Sequence, residues 1–336
     1  MSCEEEVFPG AMSRVLTLRR SRACSIVLMP RVSIILNIRN GAQFLREALD
    51  SVLAQSFADW ELIAWDDCST DDSAKIVAEN RDPRIRYFLS PEETPLGRAR
   101  DLAIRQAAGE WLAFLDQDDV WLPDKLERQM ALAAEGVGII YGRAVMFDSQ
   151  RGNLRDYDHA HEFAPLPEGD IFTQLFADAC FIAMSSAVLR RSAVEEAGGI
   201  PEHIHVAPDY YLYVAIARRY RVRAVQHVVC RYRIHGGSMS ASRQHRLRLH
   251  SEPLAIVNQW ASHLDPRLAA YRRMAYSTAL ALEEMRHPGS TAAGLQRLFK
   301  EGSVLWLLSR PFVRGRRALR RHMQRPYWLR DQSDPG

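Results

Sequence analysis

The chain has 336 residues, with 44 Lys and Arg against 41 Asp and Glu, 47% hydrophobic and 25% charged residues, and a net charge of +3. That suits one large or two modest globular domains and gives no basic surplus for nucleic acid. No apolar run reaches the roughly 18 residues of a membrane span. Cys3, Cys24, Cys68, Cys180 and Cys230 show neither C-x-x-C nor metal-finger spacing, so they read as reduced thiols of a cytosolic protein.

Residues 1–30 carry Arg14, Arg19, Arg20 and Arg22 before an apolar run too short for a signal peptide, and are expected to be a flexible extension, with Met29 an alternative start. From Val32 the pattern is regular. Val32–Leu36 is a strand, and Leu45, Leu49, Val52 and Leu53 share one helix face. Glu61–Trp65 is a second strand, followed by a helix to about Asn80 that Ser69 and Asp72 open with capping-box spacing. Ile85–Leu89 and Trp111–Leu115 are further strands, Gly97–Ala108 a helix, and another helix follows Pro123. Strands alternating with helices predict an α/β fold with a mostly parallel sheet.

After Gly138 the rhythm loosens. Ile139–Phe147 reads as one or two strands, 149–170 as a long polar loop, and Ala183–Leu189 as a strand before a short helix, Arg191–Ala197. Tyr210–Arg219 is helical, and Val222–Val225 and Val228–Ile234 read as two strands. From about Ser240 the pattern is helical only, with breaks at Asp265-Pro266, His287-Pro288-Gly289 and Arg310-Pro311, so 31–240 is expected as one domain and 241–336 as a helical appendage.

The chemistry concentrates where strand Trp111–Leu115 ends in Asp116, Asp118 and Asp119. Carboxylates about 5 Å apart repel by about 3 kcal/mol per pair at an effective dielectric near 20, so a fold that gathers them usually supplies a cation. Oxygen ligands point to Mg2+ or Mn2+. The carboxyl end of a strand is also where ligands collect in open α/β sheets.

Five segments in this order resemble a family 2 glycosyltransferase of the GT-A fold. They are Val32–Asn40, Leu62–Asp71, Leu115–Leu126, Ala207-Pro208-Asp209-Tyr210 and Tyr232-Arg233-Ile234-His235. The resemblance implies transfer of a sugar, with inversion, from a nucleotide-diphosphate-sugar, a UDP-sugar foremost, to an acceptor hydroxyl in surface polysaccharide or glycolipid synthesis. It implies that Asp66 and Asp67 meet the ribose and base, that Asp116 and Asp118 form the D-x-D contact with the donor, and that Asp118, Asp119 and His235 lie at the metal. Asp209 matches the general base and Trp121 an acceptor-side aromatic. His205 is a second acceptor-side candidate, and Arg98 a candidate for the base or phosphates.

Where relatives carry proline, threonine and tyrosine, this chain has Asn37, Ile38 and Arg39, and the Arg39 guanidinium is a substitute platform for the base. Cys68 replaces a glycine, implying that no left-handed turn is needed there. Pro208 replaces an acidic residue. These departures motivate an alternative, a catalytically silent nucleotide-sugar binder or scaffold. His159/His161 and His203/His205 lack a third ligand at zinc spacing. Residues 302–330 contain eight arginines and no acidic residue, which suits peripheral contact with an anionic membrane at its cytoplasmic face and equally suits solvated helix faces or contact with a partner subunit.

Overall fold

The structure, a computed structural model, describes residues 29–300 except 150, 158–160, 162–163, 179, 237–244 and 287–289. Nearly all of the expected extension, His159, the breaks at His287-Pro288-Gly289 and Arg310-Pro311, and the arginine-rich stretch 302–330 lie outside the described residues. In chain order the elements are β1 (Val32–Ile38), α1 (Leu45–Leu53), β2 (Trp60–Asp66), α2 (Ser73–Glu79), β3 (Ile85–Leu89), α3 (Leu96–Ile104), β4 (Trp111–Asp116) and β5 (Val120–Trp121). There follow α4 (Lys125–Met130), β6 (Val137–Asp148), β7 (Gly152–Asp156), α5 (Phe172–Ala177), β8 (Ala187–Arg190), α6 (Arg191–Glu196), α7 (Pro208–Ala217) and β9 (Arg221–Arg233). The helices α8 (Arg248–Trp260), α9 (Pro266–Met285) and α10 (Thr291–Lys300) complete the described chain.

The strands form one sheet in the order β3-β2-β1-β4-β8-β6-β9-β5, with β7 on β6. As expected, β1 to β4 are parallel; β1, β2 and β4 are buried on both faces, while β3 is a partly exposed edge strand. Along β1, Val32, Ile34, Leu36 and Ile38 enter a core with α1 and α4, while Ile35 enters a second core with α3, α5 and α7. Beyond β4 the sheet is mixed. Strand β8 runs antiparallel to both β4 and β6, and β9 runs parallel to β6. The chain reaches β8 from the carboxyl edge of β4, so no crossover reverses it.

Several boundaries differ from the sequence reading. The strand expected over Ala183–Leu189 begins only at Ala187, because Met184–Ser186 form a 3-10 turn in which Ser186 N and Oγ donate to the Ala183 carbonyl at 2.9 and 2.8 Å. The two strands expected between 222 and 234 are one. Gly142 pairs with Val225 and Arg143 with Val228, so Gln226 and His227 bulge out without ending the ladder. Cys68 has φ +60°, so the left-handed turn is present despite the missing glycine, at a cost of roughly 1–2 kcal/mol.

The carboxy-terminal helices share the main core. Ile256, Val257, Leu264 and Ala269 bury with residues of α5 and α7. Asp265 caps α9 through Oδ1, which accepts from Arg267 N at 2.8 Å and Leu268 N at 3.2 Å, with Pro266 opening the helix. Among the described residues no helix is long and apolar enough to cross a membrane.

Candidate active site

Parallel register makes the carboxyl ends of the first strands level. Asn37 stands between Trp65 and Asp116, and Ile38 beside Asp66. The Gln117 side chain fastens this edge, accepting from Arg39 N at 2.8 Å and donating to Arg39 O at 3.0 Å. The Asn37 Nδ2 group is buried at the same edge without a partner.

On the β2 side, Asp66 accepts from Ser69 N and from the Tyr87 hydroxyl, both at 2.7 Å, and is almost fully buried. Asp67 accepts from Thr94 N at 3.1 Å and Thr94 Oγ1 at 3.0 Å; burial raises its pKa, and the Thr94 bonds oppose the rise. Both expected base and ribose contacts therefore hold the loops after β2 and β3 together. Arg39 does the same. Its guanidinium donates to the Asp67 carbonyl, to the Cys68 carbonyl at 2.9 Å, and to Glu93. It is not a free platform for a base.

The second carboxylate group follows β4. Asp116 accepts a buried ion pair from Arg100 on α3, while its N–H donates to Ser185 Oγ at 3.0 Å. Asp118 Oδ2 lies 2.8 Å from His235 Nε2, whose ring contacts Phe44 with centroids 4.8 Å apart. Burial, then the negative charge of Asp116, raises the Asp118 pKa, and His235 opposes the shift.

Asp119 departs from its expected place at a metal. It is 1% exposed, and its Oδ1 accepts from Arg233 N at 2.9 Å. Burial, then Asp116 and Asp118, push its pKa well above the usual carboxylate range. Arg233, 3% exposed, closes the turn: Nε donates to the Asp118 carbonyl at 2.7 Å, the guanidinium reaches Glu47 and Ser149, and its plane lies between the rings of Phe44 and Phe147.

Asp209 sits half-buried in the first turn of α7. Burial raises its pKa, while Arg100 opposes the rise and Asp116 adds to it. Burial disfavours the charge on Arg100, but Asp116 and Asp209 together outweigh that and raise its pKa. One guanidinium thus couples the D-x-D carboxylate to the residue matched as base. The loop before α7 is held from the appendage, where Glu252 Oε2 accepts from Val206 N at 2.8 Å and Ala207 N at 3.0 Å.

Three expectations change. Trp121 is no acceptor wall: it is 2% exposed, Nε1 donates to the Ser185 carbonyl at 2.7 Å, and Lys125 Nζ lies 4.1 Å from its ring centre. That lysine is fully buried on Gln129, and burial lowers its pKa to about 7. Arg98 pairs with Asp101 at 3.5 Å on α3, so Arg100 rather than Arg98 reaches the carboxylates. His205 is half-buried in the loop before α7, and no contact joins it to the carboxylates.

The sequence reading missed Arg100, Ser185 and Glu252, and placed Arg233 in a matched segment without giving it a role. For Arg100 a signal existed, because Gly97, Ala103 and Ile104 at i−3, i+3 and i+4 mark its helix face as buried. Ser185 and Glu252 act across long sequence separations, which no local pattern reports.

A divalent cation fits this donor set in a limited way. Among the described residues no three carboxylate, imidazole or thiol groups converge as a metal cluster. Asp118 and His235 do converge, beside Asp119, whose carboxyl pKa is held above the usual range by burial and then by the Asp116 and Asp118 charges. One carboxylate and one imidazole suit a cation whose shell is completed by water and substrate oxygens.

Comparison with known proteins agrees with this geometry. The sequence profile described as Glycosyl transferase family 2 matches residues 33–198. An uncharacterized glycosyltransferase of Rickettsia felis is 30% identical over 66% of this chain, which spans only 36% of that relative's length. One from Nostoc is 30% identical over 63% of this chain and 68% of its own. The Escherichia coli UDP-Glc:alpha-D-GlcNAc-diphosphoundecaprenol beta-1,3-glucosyltransferase WfgD is 27% identical over 65% of this chain and 82% of its own. Among solved structures, S. aureus TarS 1-349 in complex with UDP-GlcNAc superposes with a TM-score of 0.57 at 19% identity, covering 79% of this chain and 74% of that one. The mannosyltransferase PcManGT from Pyrobaculum calidifontis, in complex with GDP-Man and Mn2+, gives 0.55 at 21% identity, covering 90% and 83%. These two likenesses concern the fold, the GT-A arrangement of sheet and helices. Sequence profile, relatives and fold converge, and the chain belongs to glycosyl transferase family 2.

Proposed function

We propose that this protein is an inverting, metal-dependent glycosyltransferase that moves a sugar from a UDP-sugar to a saccharide hydroxyl on a lipid-linked acceptor, in surface polysaccharide or glycolipid synthesis. The observation that carries the reading is the buried Arg100, which ion-pairs with Asp116 and whose charge acts on Asp209, on the rim where Asp118 meets His235. In this reading Asp209 takes the proton of the acceptor hydroxyl as that oxygen attacks the anomeric carbon. The bond from that carbon to the diphosphate oxygen breaks, and the nucleoside diphosphate leaves with the electron pair. The Arg100 charge favours the ionised form of Asp209 that a base requires, against burial, which favours the protonated form. Asp116 and Asn37 face the donor. Asp118 and His235 would hold Mg2+ or Mn2+, which supplies positive charge to the departing diphosphate.

The relatives support a UDP-sugar donor and a lipid-linked acceptor, because WfgD is named for both. A membrane-borne acceptor also gives a role to the arginine-rich stretch 302–330, as a contact with anionic lipid. The test is nucleoside diphosphate release from a panel of nucleotide sugars with Mn2+ and a lipid-linked saccharide acceptor. Turnover by the wild type, its loss with chelator, and its loss in Asp209→Asn with donor binding retained are expected. Donor binding without turnover on every acceptor would overturn the reading.

A further inference from the structure

The charge of this chain is divided between its two ends. Residues 241–336 carry 17 Lys and Arg against 7 Asp and Glu, while residues 1–240 carry 27 against 34. A net +10 and a net −7 therefore lie behind the overall +3. Within the cationic part, α10 presents two unlike faces. Gly294 and Leu298 are buried against α9, and a Cβ on Gly294 would stand 2.6 Å from the Ala281 carbonyl oxygen, so the helices are in close contact there. On the other side Ala292, Leu295 and Phe299, at i, i+3 and i+7, form an exposed stripe. Leu295 is 43% and Phe299 78% exposed, the latter the most exposed large hydrophobic side chain among the described residues. No acidic residue interrupts α10; Arg297 is paired with Glu284 at 3.1 Å, and Lys300 is exposed at its end.

An exposed leucine and phenylalanine on a helix without acidic residues, in a segment of net +10, match the physical requirements of an interfacial helix: apolar anchors for the acyl boundary and cations for anionic headgroups. We infer that the exposed face of α10 docks on an anionic lipid bilayer, with Leu295 and Phe299 as its anchors. The inference rests on the reading of a membrane-borne acceptor and names the surface that meets the membrane. A second copy of the chain fits this face poorly. A stable dimer buries about 1,200 Å² or more, which this short stripe cannot supply, and two segments of net +10 repel.

The test is co-sedimentation of the full chain with vesicles of phosphatidylcholine alone or mixed with phosphatidylglycerol, at low and high salt. Binding only to the anionic vesicles is expected, weakened about tenfold by salt. The neutral double variant Leu295→Ser/Phe299→Ser should bind about tenfold more weakly with an unchanged thermal melt, and Phe299→Trp should retain binding. Equal binding to both vesicle types, or wild-type binding by the double variant, would overturn the inference. So would a wild-type dimer that the double variant splits, as read by light scattering. Turnover on a water-soluble acceptor separates the two readings: turnover without vesicle binding defeats the docking surface alone, whereas vesicle binding with no turnover on any acceptor defeats the transferase alone.

Discussion

Arg233→Met tests whether a buried guanidinium holds the carboxylate turn in place. Methionine keeps an apolar stem between Phe44 and Phe147 but removes the donors. The loss with the clearest cost is the 2.7 Å bond from Nε to the Asp118 carbonyl, which leaves a carbonyl unpaired beside the turn, worth about 1–3 kcal/mol. The guanidinium lies 4.5 Å from the Phe44 ring centre and 4.4 Å from that of Phe147, and such desolvated contacts are worth about 1–2 kcal/mol together. The pair with Glu47 contributes little, because Glu47 is 51% exposed. Relief from burying the charge returns part of the total, leaving a net loss of about 3 kcal/mol. At about 2–4 °C per kcal/mol for a chain this size, the melting midpoint should fall by roughly 6–12 °C. Denaturant and thermal unfolding followed by circular dichroism measure it, alongside Mn2+ affinity, which should weaken because Asp118 is freed. A midpoint within about 2 °C of wild type, with Mn2+ affinity unchanged, would refute the clamp.

Other outcomes follow from the same geometry. The pKa of Asp209 is raised by burial, so kcat/KM for the acceptor should fall as pH drops through a value above the ordinary 3.8, and Asp209→Asn should remove that limb and cost about 10²–10⁴ in kcat. Burial and two carboxylates raise the Asp119 pKa, so ionising this residue destabilises the metal-free fold; that cost is full above the raised pKa and fades as pH falls through it. Asp119→Asn, which keeps an acceptor for Arg233 N, should therefore raise the melting midpoint at pH 7 in chelator, with the advantage shrinking at acid pH. Trp121→Phe should cost about 1–2 kcal/mol through the orphaned Ser185 carbonyl while leaving the acceptor KM unchanged; a changed KM at full stability would return Trp121 to the acceptor wall. Glu252→Gln weakens the carboxylate hold on Val206 N and Ala207 N, and should lower kcat more than it raises KM, because it shifts the loop before Asp209 and leaves the donor side untouched.

The parallel half of the fold was legible because its signals are local. Runs such as Val32–Leu36 and Trp111–Leu115 are buried on both faces, and the helices between them show one apolar side, so period and composition suffice. The same logic located the carboxylates, since strand ends in a parallel sheet are functional edges whatever the strand order. The tight turn at Cys68 was misjudged because glycine is the usual signal for positive φ, and here the surrounding bonds from Arg39 hold a cysteine there instead. The two strands expected after 222 were one because a bulge costs a ladder little when its neighbours continue.

By itself the sequence determined that acidic side chains would stand at the ends of β2 and β4, because alternation of strand and helix dictates which end of each strand faces the ligand edge. Which carboxylate does what was decided only by tertiary structure. Asp119 turns into β9, Trp121 packs on Lys125, and Arg100 rather than Arg98 pairs with Asp116, because each choice depends on burial and on partners far along the chain. Charge in a low-dielectric interior is settled by the nearest opposite charge in space, and no spacing along the chain encodes that distance.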